Sequence, residues 1–157
     1  MEREWIQALS RLTYGIYVLT AADRDEINGM IASWVTQVSF DPPLLLVAVH
    51  PNRYTHSLIR SSGAFGLHCL RRDQEEYLTR FKEREPADKF RDLQWKPGQT
   101  GTPILEDCLA SLECRVQQTL EPGNHTLFLG QILAARLHHD GSPLTVQDYQ
   151  GTYLGRD

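Results

Sequence analysis

The sequence predicts a mainly β domain: a closed antiparallel barrel with short helices as excursions. Three observations predict it. About six segments of strand length follow one another at close spacing, rich in Val, Ile, Leu, Thr and Tyr. Strong turn signals punctuate them, at Asp41-Pro42-Pro43, Glu121-Pro122-Gly123-Asn124 and Asp140-Gly141-Ser142. Stretches of helical period are few and short. The chain has 157 residues, 41% hydrophobic and 23% charged, which suits one domain (1–157) with its own core. No repeat, low-complexity run or linker divides it.

Residues 3–10 read as a short N-terminal helix, and 12–20, LTYGIYVLT, as a strand. Residues 21–26 form a charged turn. Residues 30–40 alternate, with Met30, Ala32, Trp34, Thr36, Val38 and Phe40 on one face, and are predicted as one strand. The two prolines stop it, because proline cannot donate to a ladder. Residues 44–50 are an apolar run of strand length, buried on both faces. Asn52 or Thr55 caps a helix that runs to Ser62, and Gly63 ends it.

Residues 64–70 form the next strand, and Asp73 caps a helix over 74–81. Residues 82–102 are charged and turn-rich and read as a long loop, the kind that is functional or mobile. Residues 103–108 suggest a turn of helix. Residues 110–120 and 125–138 are strands, with Gly130 marking a bulge or a close backbone approach. Residues 143–157 form a tail carrying Tyr149 and Tyr153.

Composition narrows the function classes. A net charge of -4 and a pI of about 5.8 argue against nucleic acid. The densest basic pair, Arg71-Arg72, is neutralised by Asp73, Glu75 and Glu76. The N-terminus lacks the pattern of a signal peptide, and no apolar run approaches the ~18–20 residues of a membrane span, so the expected location is the cytoplasm, with no membrane partner. Three cysteines, an odd number without a CxxC pair, predict neither disulfides nor zinc. Cys69 and Cys114 read as small core residues. His138 and His139 are adjacent on a strand and point oppositely, so no metal site is expected.

The stretch from Asn28 to His56, NGMIASWVTQVSFDPPLLLVAVHPNRYTH, carries the chemistry. Its first part offers small residues and backbone amides to a flat ligand. Its last part offers Arg53 and hydroxyl donors at a helix start, where phosphate is favoured. Together they suit a phosphorylated aromatic cofactor. Taken singly, Ser33, Thr36 and Ser39 also suit plain strand positions, Arg53 a surface charge, Trp34 a core aromatic and His125 a backbone cap.

These pieces, in this order, resemble the flavin reductase-like group of FMN-binding split-barrel proteins. The resemblance rests on Gly29-Met30-Ile31-Ala32-Ser33-Trp34, Val38-Ser39-Phe40-Asp41-Pro42-Pro43 and Asn52-Arg53-Tyr54-Thr55-His56. It continues through Ser62-Gly63-Ala64-Phe65, Asp88-Lys89-Phe90, Gly101-Thr102-Pro103 and Gly123-Asn124-His125, over roughly residues 10–150. It implies an antiparallel, Greek-key-like split β-barrel, a homodimer, and FMN or FAD near the subunit interface. By position, Met30, Ile31, Ala32, Ser33, Trp34 and Val35 would edge the isoalloxazine. Thr36, Ser39, His50, Asn52, Arg53, Tyr54, Thr55 and His56 would hold the ribityl chain and phosphate. His125 would serve catalysis at the face where nicotinamide stacks.

The resemblance further implies an NAD(P)H-dependent flavin reductase that passes hydride from nicotinamide to flavin and on to an acceptor, either a redox protein or a monooxygenase. A flavin carries its own reactivity, so no catalytic triad is required, and segment 82–102 could gate the open ring face. The turn at 52–56 has donors for one phosphate, which favours FMN over FAD. There are departures: Ile31 stands where many members have Thr, Trp34 where they have Ser, and Asn124 where Asp is common. Ser33-Trp34-Val35 resembles the flavoredoxin-like branch, so an FMN electron carrier exchanging electrons with a partner redox protein is the alternative. A third class is a non-catalytic barrel that binds flavin or haem for storage or sensing.

Overall fold

A computed structural model of the chain describes residues 3–149, 153 and 155. In order, the elements are α1 (Arg3–Leu9), β1 (Tyr17–Asp23), β2 (Glu26–Ala32), β3 (Val35–Ser39), β4 (Leu44–Val49), α2 (Tyr54–Ser62) and β5 (Ala64–Cys69). There follow α3 (Glu76–Arg80), α4 (Pro86–Phe90), β6 (Trp95–Pro97), β7 (Pro103–Leu105), β8 (Ala110–Leu120) and β9 (Thr126–Leu137). Seven strands form one antiparallel sheet in the order β2-β1-β5-β8-β9-β4-β3, and β6 pairs with β7 alone.

The sheet curls into a split barrel. Ala32 near one edge, Val47 and Val49 near the other, and Leu19, Phe65, Cys114 and Phe128 between them share a single buried core. The two edge strands are not bonded to each other. Helix α2 turns Leu58 and Ile59 into the same core, and Gly63 ends it in the left-handed conformation (φ 71°) with its N–H on the Ile59 carbonyl. Strand β1 is buried on both faces because a second core covers its outer side. There Val18 meets Tyr77 and Leu78 of α3, with Phe81, Phe90 and Leu105.

Several sequence expectations are corrected. The first strand runs over 17–23 rather than 12–20, because Ala21 and Ala22 are buried and pair with Asn28 and Ile27, leaving Arg24 and Asp25 as the turn. The alternating run 30–40 is two strands, not one. At Ser33-Trp34 the chain crosses from one edge of the sheet to the other, and the Trp34 carbonyl accepts Ala48 N–H at 3.0 Å. The alternation continues through the crossing, which hides it from the sequence.

The helix after Cys69 is shorter than 74–81. Asp73 binds the Arg71 side chain instead of capping, and Gln74 turns inward to the Asp107 carbonyl. Neither Asn52 nor Thr55 caps α2; Arg53 occupies that position without a side-chain cap. Segment 82–102 is not plain loop, since it contains α4 and β6. Residues 103–105 form a strand, not a helical turn, because Leu105 N–H is taken at 3.0 Å by His68 Nε2. Cys114 is buried as expected, while Cys69 is partly exposed. In the tail, 150–152, 154 and 156–157 lie outside the described residues.

Candidate functional site

A cleft of about 820 Å³ opens where β2, the Ser33-Trp34 crossing, the end of β4, the start of α2 and segment 81–89 converge. Strand β2 is an edge, so half of its backbone groups have no strand to pair with and can meet a ligand or a side chain. Lys89 uses one of them. Its ammonium donates to the Gly29 carbonyl at 2.9 Å and to Asn28 Oδ1 at 3.0 Å. Asn28 in turn donates from Nδ2 to Thr55 Oγ1 at 3.0 Å, which ties α4 through β2 to the start of α2. Burial, then the nearby Arg53 charge, lowers the Lys89 pKa from its ordinary value.

The cleft is cationic at this end. Arg53, Lys82, Arg84 and Lys89 line it, against the carboxylate of Glu83. Among the described residues, neither the Arg53 nor the Arg84 guanidinium has a side-chain partner. Tyr54, also in the lining, is held by its hydroxyl donating to Glu26 at 2.7 Å, and this bond raises its pKa. Arg53 at the start of α2 and the cations beside it, with no carboxylate paired to them among the described residues, suit an anionic group.

The other end is aromatic. The Trp34 ring lies 4.7 Å from His125 and 5.0 Å from Tyr153, and His50 meets His125 edge-on at 5.2 Å. His125 Nδ1 is 2.8 Å from Asn124 Oδ1 and its Nε2 is 2.6 Å from the Tyr153 hydroxyl. The Trp34 indole N–H is buried and lacks an acceptor among the described residues. Buried donors are normally satisfied, so this one fits a ligand that presents a carbonyl or ring nitrogen.

Of the residues singled out in the sequence, Met30, Ile31, Ala32, Ser33, Trp34, His50, Asn52, Arg53 and Tyr54 line the cleft together. Val35 packs on the barrel core. Thr36 is exposed on β3 with its hydroxyl on the Gln37 carbonyl, and Ser39 sits at the far end of that strand; neither is in the lining. Thr55 and His56 are buried beneath the start of α2, Thr55 on Asn28 and His56 on Thr126 Oγ1 at 2.8 Å. Burial, then Arg60, lowers the His56 pKa. His125 is buried beside Trp34, its ring centroid 4.7 Å away, and is not itself in the lining.

Sequence reasoning assigned no role to Asn28, Lys82, Arg84, Lys89 or Tyr153. Lys89 belongs to the quoted Asp88-Lys89-Phe90, a signal that a site was near without saying which one. His138 and His139 stay apart, on Ser111 and beside Asp107, and the described residues hold no cluster suited to a metal. No helix among them is long and apolar enough to cross a membrane.

A family model described as "Flavin reductase like domain" matches residues 9–155. The chain belongs to that family. Within it, the chain is 31% identical over 148 residues to a ferric-chelate reductase (NAD(P)H) of Archaeoglobus fulgidus, covering 92% of this chain and 88% of that protein. It is 33% identical over 154 residues to FMN reductase (NADH) SmoA of Agrobacterium fabrum, covering 98% and 85%. Its structure is similar to BorF, the flavin reductase component of a bacterial two-component tryptophan halogenase, with a TM-score of 0.80, 30% identity and 91% of each chain covered. The chain is also 35% identical over 134 residues to diflavin flavoprotein A 1 of Synechocystis sp., covering 83% of this chain and 23% of that protein.

Proposed function

We propose that this flavin reductase-like chain is an NAD(P)H-dependent flavin reductase that binds FMN in the cleft, accepts hydride from nicotinamide and hands electrons to a separate acceptor. The observation that carries this reading is the pairing in one cleft of an aromatic end, with its unsatisfied Trp34 N–H, and a cationic end at Arg53 and Lys89. A flat ring and a phosphate on one ligand satisfy both. Bound there, the flavin supplies the acceptor for hydride and the outlet for electrons.

The chain's own residues do the rest. The β2 edge from Met30 to Ala32, with Ser33 and Trp34, holds the ring edge. Asn52, Arg53, Tyr54 and Lys89 hold the phosphate end. Thr55 and His56 brace the start of α2 from below. His125 meets the nicotinamide, and Phe81, buried in the second core, forms part of the cleft wall.

Arg84 and Lys82 add two cations to the lining besides Arg53 and Lys89, which suits FAD as well as FMN. Strand β3 is an exposed edge, its Val38 is 48% exposed and Phe40 just after it 86% exposed, and a second copy of the chain covers it. An oxygenase that consumes reduced flavin is the acceptor class, by analogy with the halogenase component. Three free cysteines suit a cytoplasmic location.

The test is an anaerobic absorbance titration of the purified protein with NADH and then NADPH. Rapid bleaching of a flavin spectrum is expected. A flavin that resists both donors but bleaches with dithionite would move the reading to an FMN electron carrier.

A further inference from the structure

The hydrogen-bond chain that reaches Tyr153 fixes a proton as well as a position. The Gly155 carbonyl only accepts, so the Asn124 atom 3.0 Å from it is the amide nitrogen. Asn124 Oδ1 is thereby turned to His125 Nδ1, 2.8 Å away, and also only accepts. In the neutral ring the proton therefore sits on Nδ1, and Nε2 presents a bare lone pair. The Tyr153 hydroxyl, 2.6 Å from Nε2, donates to it.

Tyr153 and Gly155 are both fitted to this corner. Tyr153 lines the cleft with its ring 5.0 Å from Trp34 and 5.8 Å from His125. Gly155 adopts a left-handed φ of 78°, and a Cβ there would lie 2.6 Å from Trp34 Cη2. So Tyr153 presents a flat six-membered ring and one O–H donor to the Trp34–His125 corner. A dihydronicotinamide presents a flat six-membered ring and a carboxamide N–H.

We propose that Tyr153 is a tethered stand-in for the nicotinamide: it holds the His125 Nε2 acceptor that the donor's carboxamide N–H takes on binding, and it competes with the donor for that corner. This rests on the reductase reading. Its consequence is a sign. Deleting the hydroxyl tightens donor binding, whereas a residue that merely shapes the site would weaken binding when truncated. The competing bond is neutral, of the size that moves affinity about three- to tenfold.

The experiment compares the full-length protein, Tyr153→Phe and Tyr153→Ala. NAD+ and NADP+ are titrated calorimetrically, since neither turns over on oxidised flavin, and the KM for the preferred reduced donor is measured alongside. The phenylalanine variant keeps the contact with Trp34, and the alanine variant removes the whole plug. The expected result is an affinity three- to tenfold tighter in Tyr153→Phe, at least as tight in Tyr153→Ala, with KM falling in step. Unchanged or weaker affinity in both variants overturns the proposal. Imidazole 15N spectra of the nicotinamide-free protein supply an independent readout, expected to show His125 protonated at Nδ1. A ring protonated at Nε2 overturns the hydrogen-bond chain by itself. Correct Nδ1 protonation with no nicotinamide binding in any form overturns the stand-in together with the reductase reading.

Discussion

Lys89 Nζ lies 3.0 Å from Asn28 Oδ1, across 61 residues of sequence, and its other bond is to a backbone carbonyl. A buried ammonium held by neutral oxygens keeps its full charge available to a ligand. Replacing Lys89 by Met should weaken FMN binding by about 10- to 100-fold, the range of a hydrogen bond to a charged group. Riboflavin, which lacks the phosphate, should lose little. Fluorescence titration of both ligands checks this, and an equal loss for the two would remove Lys89 from the phosphate end.

Asn28 satisfies groups on two sides, donating to Thr55 and accepting from Lys89. Asn28→Leu leaves the Lys89 ammonium one acceptor short in a buried place and costs about 2–3 kcal/mol of stability. Asn28→Asp keeps an acceptor but sets a carboxylate against Lys89. That variant should fold well and bind FMN weakly, because the charge meant for the ligand is neutralised within the protein. Urea unfolding together with FMN titration separates the two outcomes. Strong FMN binding by the aspartate variant would contradict the assignment.

Much of this was legible in the sequence, and the rest was hidden for physical reasons. The apolar run of β4 and the Gly63 stop were readable because burial and left-handed backbone leave local marks. The crossing at Ser33-Trp34 was not, since alternation ran through it while the chain moved from one sheet edge to the other. Nine of the singled-out residues line one cleft because they are near one another in sequence or join through a single helix start. Lys89, Arg84 and Tyr153 reach the cleft from distant segments, where no local pattern announces a partner. The role of Thr55 as a brace follows from Asn28, a long-range contact that residue type alone does not specify.

His68 gives the fold a pH dependence. It is wholly buried, donates from Nδ1 to the Val18 carbonyl at 3.0 Å and accepts Leu105 N–H at Nε2. Burial pushes its pKa down to about 4. The unfolded chain, near 6.5, therefore takes up a proton before the folded one as pH falls. Stability contributed by the neutral ring is full above about 6.5 and is lost toward 4, roughly 3 kcal/mol across that window and about 2 kcal/mol of it by pH 5. Urea unfolding at pH 7 and pH 5 should show this drop, and His68→Gln should flatten the change while lowering stability at pH 7. An equal pH slope in the two proteins would assign the effect elsewhere, for example to His56, whose pKa is lowered in the same direction.

Gly130 tests how tightly the barrel closes around Phe65. The sequence suggested a bulge or a close approach there; the close approach occurs at Gly130, while the bulge lies on the partner strand β8. The β8–β9 register shifts between Val116 and Gln118, just opposite Gly130. A Cβ added at Gly130 would lie 2.6 Å from Phe65 Cε1 and 2.9 Å from Cys114 Cβ. Phe65 and Cys114 are both fully buried in the barrel core, so neither can turn away into solvent. Gly130→Ala is therefore expected to cost about 1–3 kcal/mol through overpacking, despite alanine's gain in backbone entropy. The double variant Gly130→Ala with Phe65→Leu should recover part of the loss, because the smaller side chain vacates the space the methyl needs. Urea midpoints of the single and double variants measure this coupling, and strictly additive losses would show that the alanine methyl is accommodated without touching Phe65.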